Sequence, residues 1–351
     1  MALYIHGIGL ISPQQDGSLE RLAEPLDYSG DKLVCVEPDY SQFIDIRQLR
    51  RMSRVLKMGF AAGALALKDA GVKAPDGIIT GTSYGCLDDT GIFLSKMIDN
   101  KENALNPTPF IQSTHNTIGS QIALMLQCQG YNQTYTQRAF SFEHSLLDAL
   151  LEINENPGQS FLVGGVDELT ETSHTIQKRF GIFRPASTSS LQLIKDKQHG
   201  TLNGEGAAYF LVSGVKKHDS AVSIESLATF YRPDHEELKK GIKDFLAKVS
   251  LKPADVDLVL LGKSGDERYD QHSASIASEL FSSSTIAVFK HLCGEYPTAT
   301  AFGMALAARM VTESRIPDIA MERNAGRPLR NVLIYNAYFG WYHSLILLRA
   351  C

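Results

Sequence analysis

Short apolar runs alternate with longer stretches of helical spacing along almost the whole chain, and this alternation narrows the possible folds more than any other feature. Leu3–Leu10, Gly77–Gly81, Ser160–Gly164, Ala207–Val212, Leu258–Gly262 and Ile286–Phe289 read as buried strands. Helical spacing occupies Ile46–Ala70, Asp88–Met97, Phe110–Leu126, Glu236–Val249, Gln271–Phe281 and Pro297–Val311. Gln133–Ala139, rich in Thr and Tyr, reads as a further strand. Ser141 is placed as the N-cap of a helix with Leu146, Leu147, Leu150 and Ile153 on one face, ended by Pro157-Gly158. Val222–Leu227 opens a second strand–helix series, and Val332–Asn336 with Tyr342–Leu348 closes it as a strand pair. The pattern predicts an α/β protein. The rhythm restarts after a join near residues 213–221, so two similar halves are expected, 1–220 and 221–351.

Composition narrows the functional classes. The 351 residues are 44% hydrophobic and 21% charged, with a net charge of -5, which fits a soluble globular chain. No nucleic-acid surface is expected, and the basic run Arg47, Arg50, Arg51, Arg54 and Lys57 reads as a solvated helix face. Cysteines 35, 86, 128, 293 and 351 have neither metal nor disulfide spacing, so a reducing compartment is expected and no metal or cofactor. No apolar run approaches the ~20 residues of a membrane span. Met1-Ala-Leu-Tyr-Ile-His-Gly reads as the start of a strand rather than a signal peptide. A cytoplasmic protein is the expectation.

Three motifs then follow in order: Gly164-Gly165-Val166-Asp167-Glu168, Gly204-Glu205-Gly206-Ala207-Ala208 and Lys290-His291-Leu292-Cys293-Gly294. Pro109-Phe110-Ile111-Gln112-Ser113-Thr114-His115-Asn116 precedes them, and Asn336-Ala337-Tyr338-Phe339-Gly340 ends the series. Each alone is weak, since Gly-Glu-Gly suits any tight turn. As an ordered set they resemble the β-ketoacyl synthases of the thiolase superfamily. Lys290-His-Leu-Cys-Gly-Glu-Tyr is also similar to a branch associated with aryl polyene and flexirubin-type pigments. The resemblance implies a thiolase fold, two similar halves in five layers, α-β-α-β-α. It also implies that the strand near Gln133–Ala139 lies close to a dimer axis, and that Phe110, Ser113, Thr114, His115, Asn116 and Ile118 line an interface and an acyl tunnel.

The same resemblance implies a Cys nucleophile and two His, and this chain departs from it at all three. There is no cysteine from Gln129 to Leu292. Gap-free counting puts Ala139 at the nucleophile, while aligning Leu147-Asp148-Ala149-Leu150 with the family's helix puts Glu143 there. Neither is a thiol, and the family's chemistry needs a thiolate at a helix N-terminus. The loop Gly262-Lys263-Ser264-Gly265-Asp266-Glu267-Arg268-Tyr269-Asp270 has Gly262 where the family opens with His. Glu295 stands for the second His, and Lys290 is retained. A carboxylate beside a developing enolate has the wrong sign for stabilising it.

These substitutions imply a non-catalytic subunit, a chain length factor, partnered by an active synthase in a heterodimer, with acyl carrier protein reached mainly through that partner. A second reading is a divergent enzyme acting on acyl thioesters through Glu143, His144 or Glu295. Blander roles stand beside these. Glu143 can be a first-turn acid or pair with Arg138, Glu295 can form a buried ion pair with Lys290, and Ser141 with His144 can be a cap and a surface residue. His115 and His291 read as interface or core histidines, and Cys86 and Cys293 as small buried hydrophobes.

Overall fold

A computed structural model describes residues 2–185, 189–196, 198–217 and 222–351. In the first half the strands are β1 (Leu3–Ile11), β2 (Gly77–Gly81), β3 (Tyr131–Tyr135), β4 (Ser160–Asp167) and β5 (Gly206–Ser213). In the second they are β6 (Val222–Tyr231), β7 (Leu258–Gly262), β8 (Thr285–Val288), β9 (Met321–Arg323), β10 (Asn331–Tyr338) and β11 (Tyr342–Ala350). Between them run α1 (Ile46–Leu49), α2 (Arg54–Asp69), α3 (Leu87–Asp99), α4 (Pro107–Gln112), α5 (Thr117–Leu126), α6 (Ser141–Glu155), α7 (Glu171–Arg179), α8 (His235–Ala247), α9 (Glu267–Leu280), α10 (Lys290–Cys293) and α11 (Ala299–Glu313).

The strand order is β3-β2-β4-β5-β1-β6-β11-β10-β7-β8-β9. Read outward from the centre, β1-β5-β4-β2-β3 mirrors β6-β11-β10-β7-β8, which is the duplicated rhythm of the sequence made visible. Rather than two separate sheets, the halves share one, joined where Leu3–Ile5 pairs with Val222–Ile224. The linker expected near 213–221 lies partly outside the described residues, at 218–221. β2 is buried throughout because it is paired in parallel on both edges, to β3 and β4, and β7 likewise lies between β8 and β10.

The expected five layers are present. α2 and α5 pack on one face of the first half, with Phe60, Ala62, Ile118 and Ile122 against Leu162 and Leu211. α6 and α11 fill the centre, where Leu146, Ile153 and Met304 meet strands of both halves. α8 and α9 cover the second half through Ile242, Phe245 and Ile276. α2 approaches β1 very closely because Gly7 and Gly9 lack side chains. A Cβ on Gly9 would lie 1.8 Å from the Ala62 carbonyl oxygen.

Several boundaries differ from the sequence reading. The stripe over Ile46–Ala70 is two helices, because Ser53 takes the extended conformation of an N-cap and a new helix starts at Arg54. Phe110–Leu126 is also two. Asn106 accepts from the Thr108 N–H to start α4 early, and Ser113 Oγ and Thr114 Oγ1 bond locally to Phe110 O and Thr117 Oγ1, competing with a continuous helix. β3 ends at Tyr135, so Ala139 lies in a turn. Ser141 is the first residue of α6 rather than its N-cap, and its Oγ donates back to Arg138 O at 2.7 Å. Of the expected α6 core face, Leu146 and Ile153 are fully buried, but Leu147 is 42% exposed.

Candidate functional site

The turn after β3 enters the central layer. Arg138 adopts a left-handed φ of 52°, Ala139 is buried, and α6 begins two residues later. Glu143, one turn into α6, is fully enclosed between the halves. Ser344 Oγ donates to its Oε1 at 2.7 Å, while Oε2 has no partner. It does not pair with Arg138, whose guanidinium lies on the surface near the Tyr342 hydroxyl. Burial pushes the Glu143 carboxyl up to about 7, against the opposing pull of Thr300, Ser344 and Lys290. Next to it, Asn336 Nδ2 donates to Thr300 Oγ1 at 2.8 Å.

Gly262 ends β7 in this polar layer. A Cβ there would sit 2.1 Å from Asn336 Oδ1, so a larger residue requires Asn336 to move. The loop beyond it is drawn in by Asp270, which accepts from the backbone N–H groups of Ser264 and Gly265. Lys290 and Glu295 form a fully buried ion pair at 2.7 Å, and Lys290 Nζ also donates to Ala337 O. Burial raises the Glu295 carboxyl to about 7, and Lys290 opposes that rise.

Over Glu295 the space is filled. Tyr84, Tyr296, Tyr338, Phe183 and Asn203 leave a cavity of about 10 Å³, no more than one water. Gln177 Nε2 donates to the Tyr84 hydroxyl at 2.9 Å, and Tyr338 lines the same space. No imidazole lines this space among the described residues. His291 is turned away onto Ile319 O, and its pKa is lowered by burial to about 4. His144 lies toward the outside of α6, between Tyr135 and Phe140. Ser141 is engaged with the backbone rather than with His144.

Two supports of this region escaped the sequence reading. Glu205 accepts both terminal nitrogens of Arg54, at 2.5 and 2.6 Å, and the N–H groups of Cys35 and Leu169. Arg54 is therefore half-buried and turned onto Glu205 rather than part of a fully solvated face, and it also reaches Glu37. Asp167 accepts from Ser83 N, Tyr84 N, Thr82 Oγ1 and Thr298 Oγ1, which pins the Tyr84 turn over the cavity. Both acids lie within the glycine motifs that the sequence reading singled out, but their partners are remote along the chain.

The segment expected at an interface is largely on the surface. Phe110 is 57% exposed and lies against Phe93 in a tilted pair, while Ser113 is half-buried and Thr114, His115 and Asn116 are exposed. Ile118 is in the core, against Gly59. Among the described residues no helix is long and apolar enough to cross a membrane.

The enclosed Glu143 gives a testable pH dependence. Its folded pKa is raised above the unfolded value, so the folded state holds the extra proton. Its stabilising contribution is complete below about pH 4.5 and is lost as pH rises toward 7. Glu143→Gln keeps an acceptor for Ser344 without the charge. It should gain stability on the order of 2–3 kcal/mol at pH 8.5 and little at pH 5. Denaturant melts at the two pH values measure this, and an equal gain at both would contradict it.

A family profile described as β-ketoacyl synthase, N-terminal domain, matches residues 28–218. Among solved structures, the ishigamide ketosynthase/chain length factor aligns with a TM-score of 0.80 at 16% identity, covering 100% of this chain and 99% of that one. The ketosynthase ApeO in complex with its chain length factor ApeC from Xenorhabdus doucetiae aligns at 0.78 and 15%, covering 100% and 98%. A β-ketoacyl synthase from Burkholderia phymatum STM815 aligns at 0.78 and 14%, covering 100% and 99%. At these identities the likeness is one of fold. No curated protein sequence matches.

Proposed function

Because this chain belongs to the β-ketoacyl synthase family, we propose that it is a non-catalytic member, a chain length factor that pairs with an active synthase and shapes the acyl tunnel. One observation carries the reading. Where the family's chemistry calls for a thiol and two imidazoles, this chain has Ala139 or Glu143, Gly262 and Glu295, and the space over Glu295 holds about 10 Å³. Neither an acyl thioester nor a developing enolate is accommodated there. Ala139 sits in the turn leading into α6 and Glu143 in that helix's first turn, so either alternative leaves the position without a thiol.

The solved ketosynthase structures with chain length factors support the pairing by likeness of fold. A type II polyketide or fatty-acid-like system follows, with a product of the aryl polyene or flexirubin kind, a cytoplasmic setting, and carrier protein met mainly through the synthase. The halves 1–220 and 221–351 act here as one subunit.

The test is reconstitution with a synthase that retains Cys and both His. The wild-type chain alone should leave acyl- and malonyl-carrier thioesters unchanged, and the pair should elongate them. Ala139→Cys and Glu143→Cys should each remain inert alone, because Gly262 and Glu295 still cannot act as the His pair. Elongation by either variant without a partner overturns the reading.

Chain length is the finer claim. A methylene buried in an apolar tunnel gains about 0.8 kcal/mol, while overpacking costs roughly 1–3 kcal/mol. Ser113→Phe or Thr114→Leu should therefore shorten the products of the pair by a few carbons, and Phe110→Ala should lengthen them. Mass spectrometry of the products decides. An unchanged length distribution, or lower yield alone, makes the segment purely structural.

A further inference from the structure

Three histidines from three elements stand in a row beside the β10–β11 turn. The ring of His235, at the start of α8, lies 5.3 Å from that of His272 on α9, and His272 lies 5.5 Å from His343 on β11. Strand alternation sets the innermost ring. Leu345 and Leu347 belong to the core under α8 and α9, whereas Ser344 faces Glu143 in the central layer. His343 is in phase with Leu345, so it turns toward α9, and it is fully buried there.

The hydrogen bonds of His343 fix a neutral tautomer. The Gly340 carbonyl can only accept, so Nε2 carries the proton and donates to it at 3.1 Å. Nδ1 is then bare and accepts from the Tyr335 hydroxyl at 3.0 Å. The bond to Gly340 holds a turn that needs holding. Phe339 has a left-handed φ of 50°, which is costly for a residue with a side chain, and Gly340 follows at 65°. Tyr269 of α9 packs on the same turn, with its ring 6.0 Å from that of Phe339. Tyr338, the residue before the turn, lines the space over Glu295.

The row has little negative charge to balance added protons. Among the described residues histidine forms ion pairs at His174, His199 and His235, and neither His272 nor His343 has one. His235 Nε2 meets Glu279 at 2.9 Å, but that carboxylate also serves Lys239 at 2.7 Å, and Lys239 holds Glu236 as well. Asp234 and Glu237 of α8 are engaged in its capping box. On α9, Glu267 faces His199, and Asp270 accepts from the Ser264 and Gly265 N–H groups. His272 Nε2 is buried without a partner. Burial lowers the pKa of His272, and His235 lowers it further. Burial lowers that of His343 to about 4, against the Gly340 bond, with His272 and Lys290 adding to the fall. Both values lie below the ordinary 6.5, so an opened row takes up protons before the closed one does. The stabilising contribution is complete above about pH 6.5 and is lost as pH falls toward 4.

We propose that His235, His272 and His343 form an acid-sensitive latch, whose protonation separates the β10–β11 turn from α9 and loosens Tyr338 over Glu295 while the sheet stays folded. Each proton added places a cation against the next ring, and opening the turn relieves this by letting water reach the row.

The chain carries its own reporter. Trp341 is its single tryptophan and lies in this turn, with the Arg232 guanidinium 4.3 Å from its ring. In the full chain, Trp341 emission should shift as pH is lowered from about 7.5 to about 4.5, ahead of any change in far-UV circular dichroism. His272→Phe keeps a ring in the row without a titrating nitrogen, and should move the midpoint down by about one pH unit. His272→Gln should move it in the same direction without the ring, which separates charge from packing. Thermal melts at pH 8 check that both variants fold. The proposal is overturned if emission stays constant over this range, if it changes only together with the circular dichroism, or if both variants keep the wild-type midpoint. The last result would assign the change to Glu143 or Glu295 instead.

Discussion

Lys290→Met should destabilise the folded chain by about 3–5 kcal/mol at pH 8, the cost of leaving a buried charge without its partner. Lys290 and Glu295 are both fully enclosed, and Glu295 Oε1 already has no hydrogen-bond partner. Removing the ammonium leaves that carboxylate unpaired, and it also takes the donor from Ala337 O. At pH 5.5 the loss should shrink, because Glu295 can take a proton once Lys290 no longer opposes the rise caused by burial. Lys290→Met combined with Glu295→Gln should recover part of the loss at pH 8. Urea melts of the three proteins at both pH values measure this. An equal loss at both pH values, or a double variant no better than the single one, would show that the pair does not hold this layer together.

Gly204→Ala should be comparably damaging, by about 3 kcal/mol or more, with reduced soluble yield. Its Cβ would lie 2.1 Å from the Cys293 carbonyl oxygen and 2.7 Å from Gly294 Cα. Both obstacles are backbone, so no side chain can turn aside to make room. The same contact places Glu295, since Glu295 N donates to Leu202 O and Gly204 N to Glu295 O. Gly91→Ala is the control. Gly91 lies inside α3 with nothing within 4 Å of its Cβ, so alanine there should stabilise the isolated chain by about 0.5–1 kcal/mol. Thermal melts of the two variants should move in opposite directions.

Much of this molecule was legible before its structure. β2, β5, β7 and the β10–β11 pair fall close to where short apolar runs put them, because a strand buried on both faces leaves no polar position to interrupt the run. The motif order identified the family, which the profile over residues 28–218 bears out. That no cysteine stands between Gln129 and Leu292 is a fact of the sequence that no packing can alter.

What the chain's local pattern determined, then, is the set of elements and their α/β class. Those follow from period, length and residue type, which act over a few neighbouring residues. The tertiary structure alone decided that the stripe at Ile46–Ala70 breaks at Ser53 and that Arg54 turns inward to clasp Glu205, 151 residues away. It also decided that Glu143 answers to Ser344 rather than Arg138, and that Tyr84 and Tyr338 close over Glu295. Each of these is a contact between segments far apart along the chain, formed because a buried charge or hydroxyl must find a partner once water is removed. Which partner it finds depends on which segments the fold brings together, and that pairing leaves no periodicity for a sequence to show.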